Sequence, residues 1–194
     1  MNNLAERLLL QTPSQTVGPY FAYGLSAVQY GYDNTQIADE HLIADQKMKE
    51  RRIQIRGQVF DGQGDFIPDA LVEIWQADAD GKYMNPQFKG FGRMGTGTLE
   101  NGFFEFNTIK PGRVGSAAPH INVILFMRGL LVHAYTRIYF SDEQMANEKD
   151  ELLCAIPASR RKTMIASLLE VGPPALYTFD IHMQGINETV FLDV

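Results

Sequence analysis

The sequence predicts an all-β protein: an antiparallel β-sandwich with an extended N-terminal arm and one or two short peripheral helices. Three observations favour this class. Apolar and polar residues alternate in about seven short runs, Gly, Pro and Asp residues separate these runs, and helical periodicity is rare. The chain has 194 residues, 45% of them hydrophobic, which suffices for one domain with a sizeable core.

The N-terminal part of the chain differs from the rest. Residues 1–52 are expected to form the arm and a polar connection, and residues 53–194 the sandwich, within a single domain. Prolines interrupt residues 11–24, so this stretch is predicted to be extended. The aromatic rings at positions 20–23 need a surface to pack on. Either the sheet of the same chain or a partner subunit would provide that surface, and composition leaves both open.

The body of the chain alternates with a period of two residues, as half-buried strands do. Arg128-Gly129 falls between two of these runs and predicts a tight hairpin. The predicted strands are Ile53–Phe60, Leu71–Gln76, Phe103–Asn107, Ile121–Met127, Leu130–Phe140, Tyr177–Gln184 and Thr189–Leu192.

Two stretches favour helices instead. Ser141 to Gln144 has the spacing of a capping box and predicts a short helix ending near Asn147. Arg160–Val171 carries an apolar stripe and is followed by a Gly-Pro-Pro stop, which predicts a second helix.

Composition excludes several classes of protein. The 17 Lys and Arg residues and 23 Asp and Glu residues give a net charge of −6, which disfavours nucleic acid and anionic membranes as partners. The N-terminus lacks the pattern of a signal peptide, and no apolar run is long enough to span a bilayer. We therefore expect a soluble, cytoplasmic protein.

Common catalytic motifs are absent, and the candidate residues are few. Glycines 90, 92 and 95 match a nucleotide-binding spacing, but no strand precedes them and no helix follows. Cys154, the single cysteine, has apolar neighbours and is expected to be a buried, inert thiol. His120 and Asn122 would share one face of a strand, where a His-x-His pair could bind a metal. An amide is a poor metal ligand, so a hydrogen-bonding role for His120 is favoured.

Eight motifs in this order and spacing resemble the intradiol ring-cleaving dioxygenases. The resemblance covers nearly the whole chain, and its specificity comes from the combination of motifs. They are Thr12–Tyr20, Gly57–Gly62, Glu73–Asp78, Phe91–Arg93, Thr108–Gly112, Ala118–Asn122, Thr136–Phe140 and Gly185–Phe191.

The resemblance implies a prealbumin-like sandwich and a hetero-oligomer of alpha and beta chains. In such an enzyme the beta chain binds ferric iron through two tyrosines and two histidines and cleaves 3,4-dihydroxybenzoate with O2. This chain departs from that ligand set. His120 is retained, but Asn122 and Val114 replace a histidine and a tyrosine, and Tyr83 more closely matches a tyrosine that is not a ligand. The resemblance therefore implies an alpha chain without a metal or catalytic residues of its own.

The resemblance also assigns this chain a part of the partner's substrate pocket. The positions that match are Thr16 and Pro19 in the arm and Arg128 in the hairpin. For Arg128, an ordinary exposed turn residue is the alternative. Two other functions stay open: a self-sufficient homo-oligomeric dioxygenase with a rebuilt metal site, and a non-catalytic transthyretin-like binding module.

Overall fold

The computed structural model describes residues 11–42 and 52–193, so residues 1–10 and 43–51 of the predicted arm and connection lie outside the described part. The strands are β1 (Arg52–Phe60), β2 (Leu71–Gln76), β3 (Phe91–Gly95), β4 (Phe103–Ile109), β5 (His120–Phe126), β6 (Ala134–Phe140), β7 (Ile165–Glu170), β8 (Ala175–Thr178) and β9 (Ile181–His182). The helices are α1 (Phe21–Leu25), α2 (Gln144–Asn147), α3 (Glu151–Ala155) and α4 (Ala158–Arg161), with 3₁₀ turns at Glu100–Gly102 and Lys162–Met164. The prediction of an all-β fold with short helices is confirmed.

The strands follow one hydrogen-bonded path in the order β3-β2-β5-β6-β7-β8-β1-β4, and β9 also pairs with β1. Most neighbours are antiparallel, as predicted. In addition, β8 and β9 run parallel to β1, and β7 runs parallel to β6, which the sequence did not indicate. Every strand contributes at least one inward-facing side chain to the main hydrophobic core. Examples are Ile55, Phe106 and Val123.

The chain before β1 packs against the open edges of the sandwich. Asp39 O accepts a hydrogen bond from Arg93 N of β3 at 3.0 Å, and Glu40 O accepts one from Asn107 N of β4 at 2.9 Å. This short segment therefore covers both ends of the strand path, which protects edges that would otherwise present unpaired backbone groups.

Two glycines of β3 make room for this N-terminal segment. A Cβ atom at Gly92 would lie 2.5 Å from the Leu42 side chain, and one at Gly95 would lie 2.2 Å from the Tyr30 hydroxyl. Two of the three glycines that match a nucleotide-binding spacing thus serve the packing of the arm.

The arm has no regular secondary structure up to residue 18 and then forms a turn and α1, so the prediction of an extended chain through residue 24 is wrong in its second half. Phe21 packs against Phe126 with ring centroids 5.4 Å apart, and Tyr23 stacks on Tyr30 at 4.0 Å. Tyr20 remains 76% exposed. The same chain thus accommodates two of the three rings, and the third is left at the surface.

The helix predicted over Arg160–Val171 is wrong beyond its first turn and a half. Helix α4 and a 3₁₀ turn end at Met164, and the following residues form β7, which pairs with both β6 and β8. Leu169, part of the predicted apolar stripe, is 61% exposed. Backbone pairing with two neighbouring strands outweighs the local helical pattern.

The predicted capping box does not form. Helix α2 is preceded by Glu143, which makes no side-chain cap, and Ser141 Oγ instead accepts a hydrogen bond from Leu168 N of β7 at 3.0 Å. The Ser141 hydroxyl therefore accepts its hydrogen bond from a distant strand and not from a backbone N–H of its own helix.

Several further details differ from the sequence prediction. The run predicted as one strand at Tyr177–Gln184 is split into β8 and β9, and residues 189–192 form no strand. The turn at Arg128-Gly129 belongs to a longer loop between β5 and β6 rather than to a tight hairpin.

Cys154 is exposed on α3, so the prediction of a buried thiol is wrong. None of the helices in residues 11–42 and 52–193 combines the length and apolar character that a membrane span needs.

Candidate functional site

Two positions that match the family's metal ligands, His120 and Asn122, lie in one polar cluster around β5 and β6, which we call the Asn122 cluster; Val114 precedes β5 and is not part of it. The cluster consists of Tyr83, His120, Asn122, Tyr135 and Arg137. The strand register places Asn122 opposite Arg137 because β5 and β6 are antiparallel neighbours.

The amide of Asn122 is fully engaged in hydrogen bonds. Its Nδ2 donates to Tyr83 OH at 3.1 Å and to Trp75 O at 3.2 Å. Its Oδ1 accepts from Tyr135 OH at 2.5 Å and from Arg137 Nε at 3.1 Å. An amide offers two donors and one oxygen with two lone pairs, so these four bonds use its whole capacity.

His120 is buried and hydrogen-bonded within its own strand end. Its Nδ1 lies 2.8 Å from Ala118 O, which makes Nδ1 the protonated nitrogen. Burial lowers the pKa of His120, and the charge of Arg137 acts in the same direction, while the bond to Ala118 opposes them. The fold therefore favours the neutral imidazole, in agreement with the predicted hydrogen-bonding role.

A buried carboxylate supports the segment that leads into His120. Asp150 is 1% exposed and accepts hydrogen bonds from Ala118 N at 2.9 Å, Leu153 N at 3.0 Å and Tyr139 OH at 3.1 Å. Burial raises the pKa of Tyr139 to about 12, although Arg137 works against this shift. Sequence reasoning did not identify Asp150; the one signal was an Asp directly before α3, where it caps the helix.

The residues present do not fit a ferric ion. Tyr83 OH and Asn122 are bonded to each other, and the half-buried Val114 has no donor atom to offer. A guanidinium, that of Arg137, already contributes a positive charge to the cluster. Within residues 11–42 and 52–193, no three His, Cys, Asp or Glu side chains are grouped as metal ligands. The phenol groups of Tyr83 and Tyr135 are both bonded to Asn122, and one imidazole beside an amide and a guanidinium does not match a ligand set of two tyrosines and two histidines.

The arm and the β5–β6 loop meet in a second region, the arm–hairpin site, which we define as Thr16, Pro19, Asp69 and Arg128. Thr16 Oγ1 accepts a hydrogen bond from Gly129 N at 2.8 Å and donates to Val17 O at 3.3 Å. Its hydroxyl therefore holds the arm against the loop. Pro19 is exposed and lies just before α1.

Arg128 lies at the outer end of the loop. Its side chain is 58% exposed, and Nε forms an ion pair with Asp69 Oδ2, whose side chain is 11% exposed. The structure thus brings Thr16 of the arm against Gly129, the neighbour of Arg128, while Pro19 lies three residues further along the arm. Asp69 was missed by sequence reasoning, since a Pro-Asp pair before β2 reads as an ordinary turn.

An open cleft of about 270 Å³ separates the arm from the loop. Its loop side is largely apolar, and Leu131 and Val132 are each 63% exposed. Exposed apolar side chains of this kind form a surface suited to a partner chain, and Arg128 lies in the same loop without lining the cleft. The cleft is lined by Ser14, Gln15, Val17, Phe126, Met127, Leu130, Leu131, Val132 and His133.

Comparison with known proteins finds close relatives along almost the full chain. The protocatechuate 3,4-dioxygenase alpha chain of Burkholderia cepacia is 47% identical over 195 residues, which covers 96% of this chain and 98% of the relative. The alpha chain of Pseudomonas putida is 42% identical with the same coverage. The beta chain of Burkholderia cepacia is 30% identical over 159 residues, covering 71% of this chain and 66% of the relative.

Solved structures share the fold at lower identity. The dioxygenase domain of a carbohydrate-binding fusion protein from Streptomyces sp. SirexAA-E superposes with a TM-score of 0.63 at 24% identity, covering 92% of this chain and 99% of that domain. An intradiol ring-cleavage dioxygenase from Tetranychus urticae gives 0.61 at 19% identity, covering 78% and 88%. A family model described as "Dioxygenase" matches residues 18–185. This chain therefore belongs to the intradiol dioxygenase family.

Proposed function

We propose that this chain is the alpha subunit of a protocatechuate 3,4-dioxygenase and that a beta chain holds the ferric iron. The assembled enzyme would open 3,4-dihydroxybenzoate with O2 between its hydroxyls, giving 3-carboxy-cis,cis-muconate in aromatic catabolism. The observation that carries this proposal is the contrast between the two sites. The Asn122 cluster is closed by its own hydrogen bonds, while the arm–hairpin site keeps a cation and apolar surface at the exterior.

The arm–hairpin site would complete the substrate pocket of the beta chain. Arg128 supplies the charge, since the substrate differs from catechol by one carboxylate and a desolvated carboxylate needs a cation. Thr16 holds the arm and loop together, because both hydrogen-bonding directions of its hydroxyl are already used within this chain. Pro19 restricts the exposed arm, which lowers the entropy cost of ordering it in a complex. The cytoplasmic location expected from the sequence stays a prediction.

The partnership is tested by purifying the chain alone, the beta chain alone and the co-expressed pair, then measuring iron and O2 uptake. We expect the alpha chain alone to hold no stoichiometric iron, and the pair to contain iron and consume O2 with 3,4-dihydroxybenzoate. Stoichiometric iron in the alpha chain alone, lost in Tyr83→Phe or His120→Ala, would support the self-sufficient enzyme instead. Failure to associate with any beta chain would favour the binding module.

The carboxylate assignment is tested with Arg128→Ala in the assembled enzyme. A charge-assisted contact is worth about 1.5–3 kcal/mol, or about 10–150-fold in binding. We expect KM for 3,4-dihydroxybenzoate to rise by a factor in this range while kcat is largely spared. Arg128→Lys should recover part of the loss, because an ammonium lacks the planar fork. An equal loss for catechol, which has no carboxylate, would show that Arg128 is a structural turn residue.

A further inference from the structure

We propose that Asp69 is a positioning residue for substrate specificity, which orients the Arg128 guanidinium toward the carboxylate of the aromatic substrate. The inference rests on the proposed function of this chain. It adds a residue from the β1–β2 connection, far from the arm and loop in sequence, to the arm–hairpin site.

The burial of the two partners shows which one determines the position of the other. The Asp69 side chain is 11% exposed, whereas that of Arg128 is 58% exposed and extends from a loop. A carboxylate removed from water is destabilised unless a cation compensates it, and an exposed arginine has many rotamers to choose from. The buried anion is therefore the fixed point, and the exposed guanidinium is drawn to it.

The backbone that carries Asp69 is held on both sides by one buried side chain. Thr96 is fully buried, and its Oγ1 donates to Ile67 O at 2.6 Å and accepts from Ala70 N at 3.1 Å. Thr96 N also donates to Ala70 O at 2.9 Å. These three bonds lie on both sides of Asp69, so the backbone that carries its carboxylate is anchored to the residue that follows β3.

The ion pair leaves part of the guanidinium available. Asp69 Oδ2 contacts Nε as an ion pair without a well-aligned hydrogen bond, and no described residue accepts a hydrogen bond from Nη1 or Nη2 of Arg128. A guanidinium with Nε occupied still presents its two terminal nitrogens, and these can bind a second carboxylate in the fork geometry that arginine favours. Asp69 would thus set the direction from which a ring carboxylate is accepted.

The geometry also defines an opposite outcome. Asp69 could act mainly by neutralising Arg128, in which case its removal would strengthen the binding of an anionic substrate. A positioning role predicts weaker binding instead, because the freed arginine regains rotamers that must be lost again when substrate binds. The sign of the change in KM therefore separates the two.

The test uses the assembled alpha–beta enzyme carrying Asp69→Asn in the alpha chain. We expect KM for 3,4-dihydroxybenzoate to rise by about three- to tenfold, in the range of coupling between neighbouring residues, with kcat and the apparent affinity for catechol little changed. Asp65→Asn is the matched control, since it removes the same charge from the same connection at an exposed position. It should leave both constants unchanged.

A double-mutant cycle with Arg128→Ala identifies the route of the effect. If Asp69 acts through Arg128, Asp69→Asn has no further effect on KM once Arg128 is alanine. An equal effect in both backgrounds, or a lower KM in the single variant, overturns the proposal. If Arg128→Ala itself leaves the preference for the carboxylated substrate intact, the proposed function of this site fails instead.

Asp69→Glu keeps the test decisive if the asparagine variant does not assemble. The longer side chain retains the charge but displaces Arg128, so we expect a smaller rise in KM for 3,4-dihydroxybenzoate and no change for catechol. An unchanged ratio between the two substrates in this variant would also overturn the proposal.

Discussion

The Asn122 cluster and the arm–hairpin site differ in how their polar groups are satisfied. In the cluster, the four hydrogen bonds of Asn122 end on groups of the same chain, and burial favours a neutral His120. At the arm–hairpin site, Arg128 is largely exposed and the nearby loop presents Leu131 and Val132 to solvent.

This difference indicates where each region obtains its stability. A half-buried network whose polar groups are already bonded gains little from a ligand, because adding one would break existing bonds. An exposed apolar cleft in the same loop as a cation gains from a partner that covers the apolar surface and supplies a counter-charge. The same chain thus contains one site whose hydrogen bonds are satisfied within the chain and another that, under the proposed function, is completed by the beta chain.

The largest expected effect tests the structural character of the cluster region. Asp150→Ala removes the charged acceptor of three buried donors next to the segment that carries His120. We expect the free energy of unfolding to fall by about 3–5 kcal/mol, measured by denaturant unfolding of the chain alone. Glu151→Ala, at the exposed neighbouring position of α3, should cost about 0.5 kcal/mol or less. Similar losses in both variants would mean that the segment does not depend on Asp150.

A smaller effect on the free chain, but a large one on the complex, is expected when residues 1–20 are deleted. The deletion spares the buried residues Ala22, Ala27 and Leu42, so the sandwich should remain folded. Assembly with the beta chain, or turnover by the complex, should fall by about 100-fold, equivalent to about 2.8 kcal/mol. Thermal unfolding of the free chain and O2 uptake by the complex measure the two parts.

The control for this deletion keeps the arm but removes its contact with the loop. Thr16→Val eliminates the acceptor for Gly129 N and should give an intermediate loss in the complex. If assembly and turnover survive the deletion of residues 1–20, the arm is not an intersubunit element. The proposed difference between the Asn122 cluster and the arm–hairpin site would then be wrong.

The smallest effect concerns the protonation of His120. Its pKa in the fold lies below the ordinary value of 6.5, so below pH 6.5 the unfolded chain binds the proton more readily. The free energy of unfolding should therefore decrease as the pH falls from 6.5 through the folded pKa, by at most about 1.4 kcal/mol per pH unit. Denaturant unfolding between pH 7 and pH 5 measures this slope.

His120→Asn provides the comparison for this slope, since it keeps a donor near the position of Nδ1 but cannot titrate. The difference in stability between the native chain and this variant should shrink on acidification, because Asp150 and Arg137, the charged groups beside His120, stay in both. A difference that is independent of pH would show that folding does not lower the pKa of His120.

The sequence determined the fold class and most of the strands. Runs such as Ile53–Phe60 and Leu71–Gln76 correspond to β1 and β2 because alternation with a period of two is itself the consequence of having one buried face. It also located Asn122 and Val114 as departures from a metal-ligand pattern, since ligand chemistry depends on residue type. The sequence also showed that the composition of the arm is unusual, but it did not show where the arm packs.

Tertiary structure decided the features whose hydrogen bonds come from distant parts of the chain. Residues 165–170 form a strand because β6 and β8 pair with them, whatever their local pattern favours. Glycines 92 and 95 leave space for the N-terminal segment to pack on β3. Asp69 forms an ion pair with Arg128, which lies 59 residues further along the chain. Sequence patterns record how a residue interacts with its near neighbours. The contacts of a buried carboxylate or of a β-strand edge depend on which segments the fold brings together, and no local pattern contains that information.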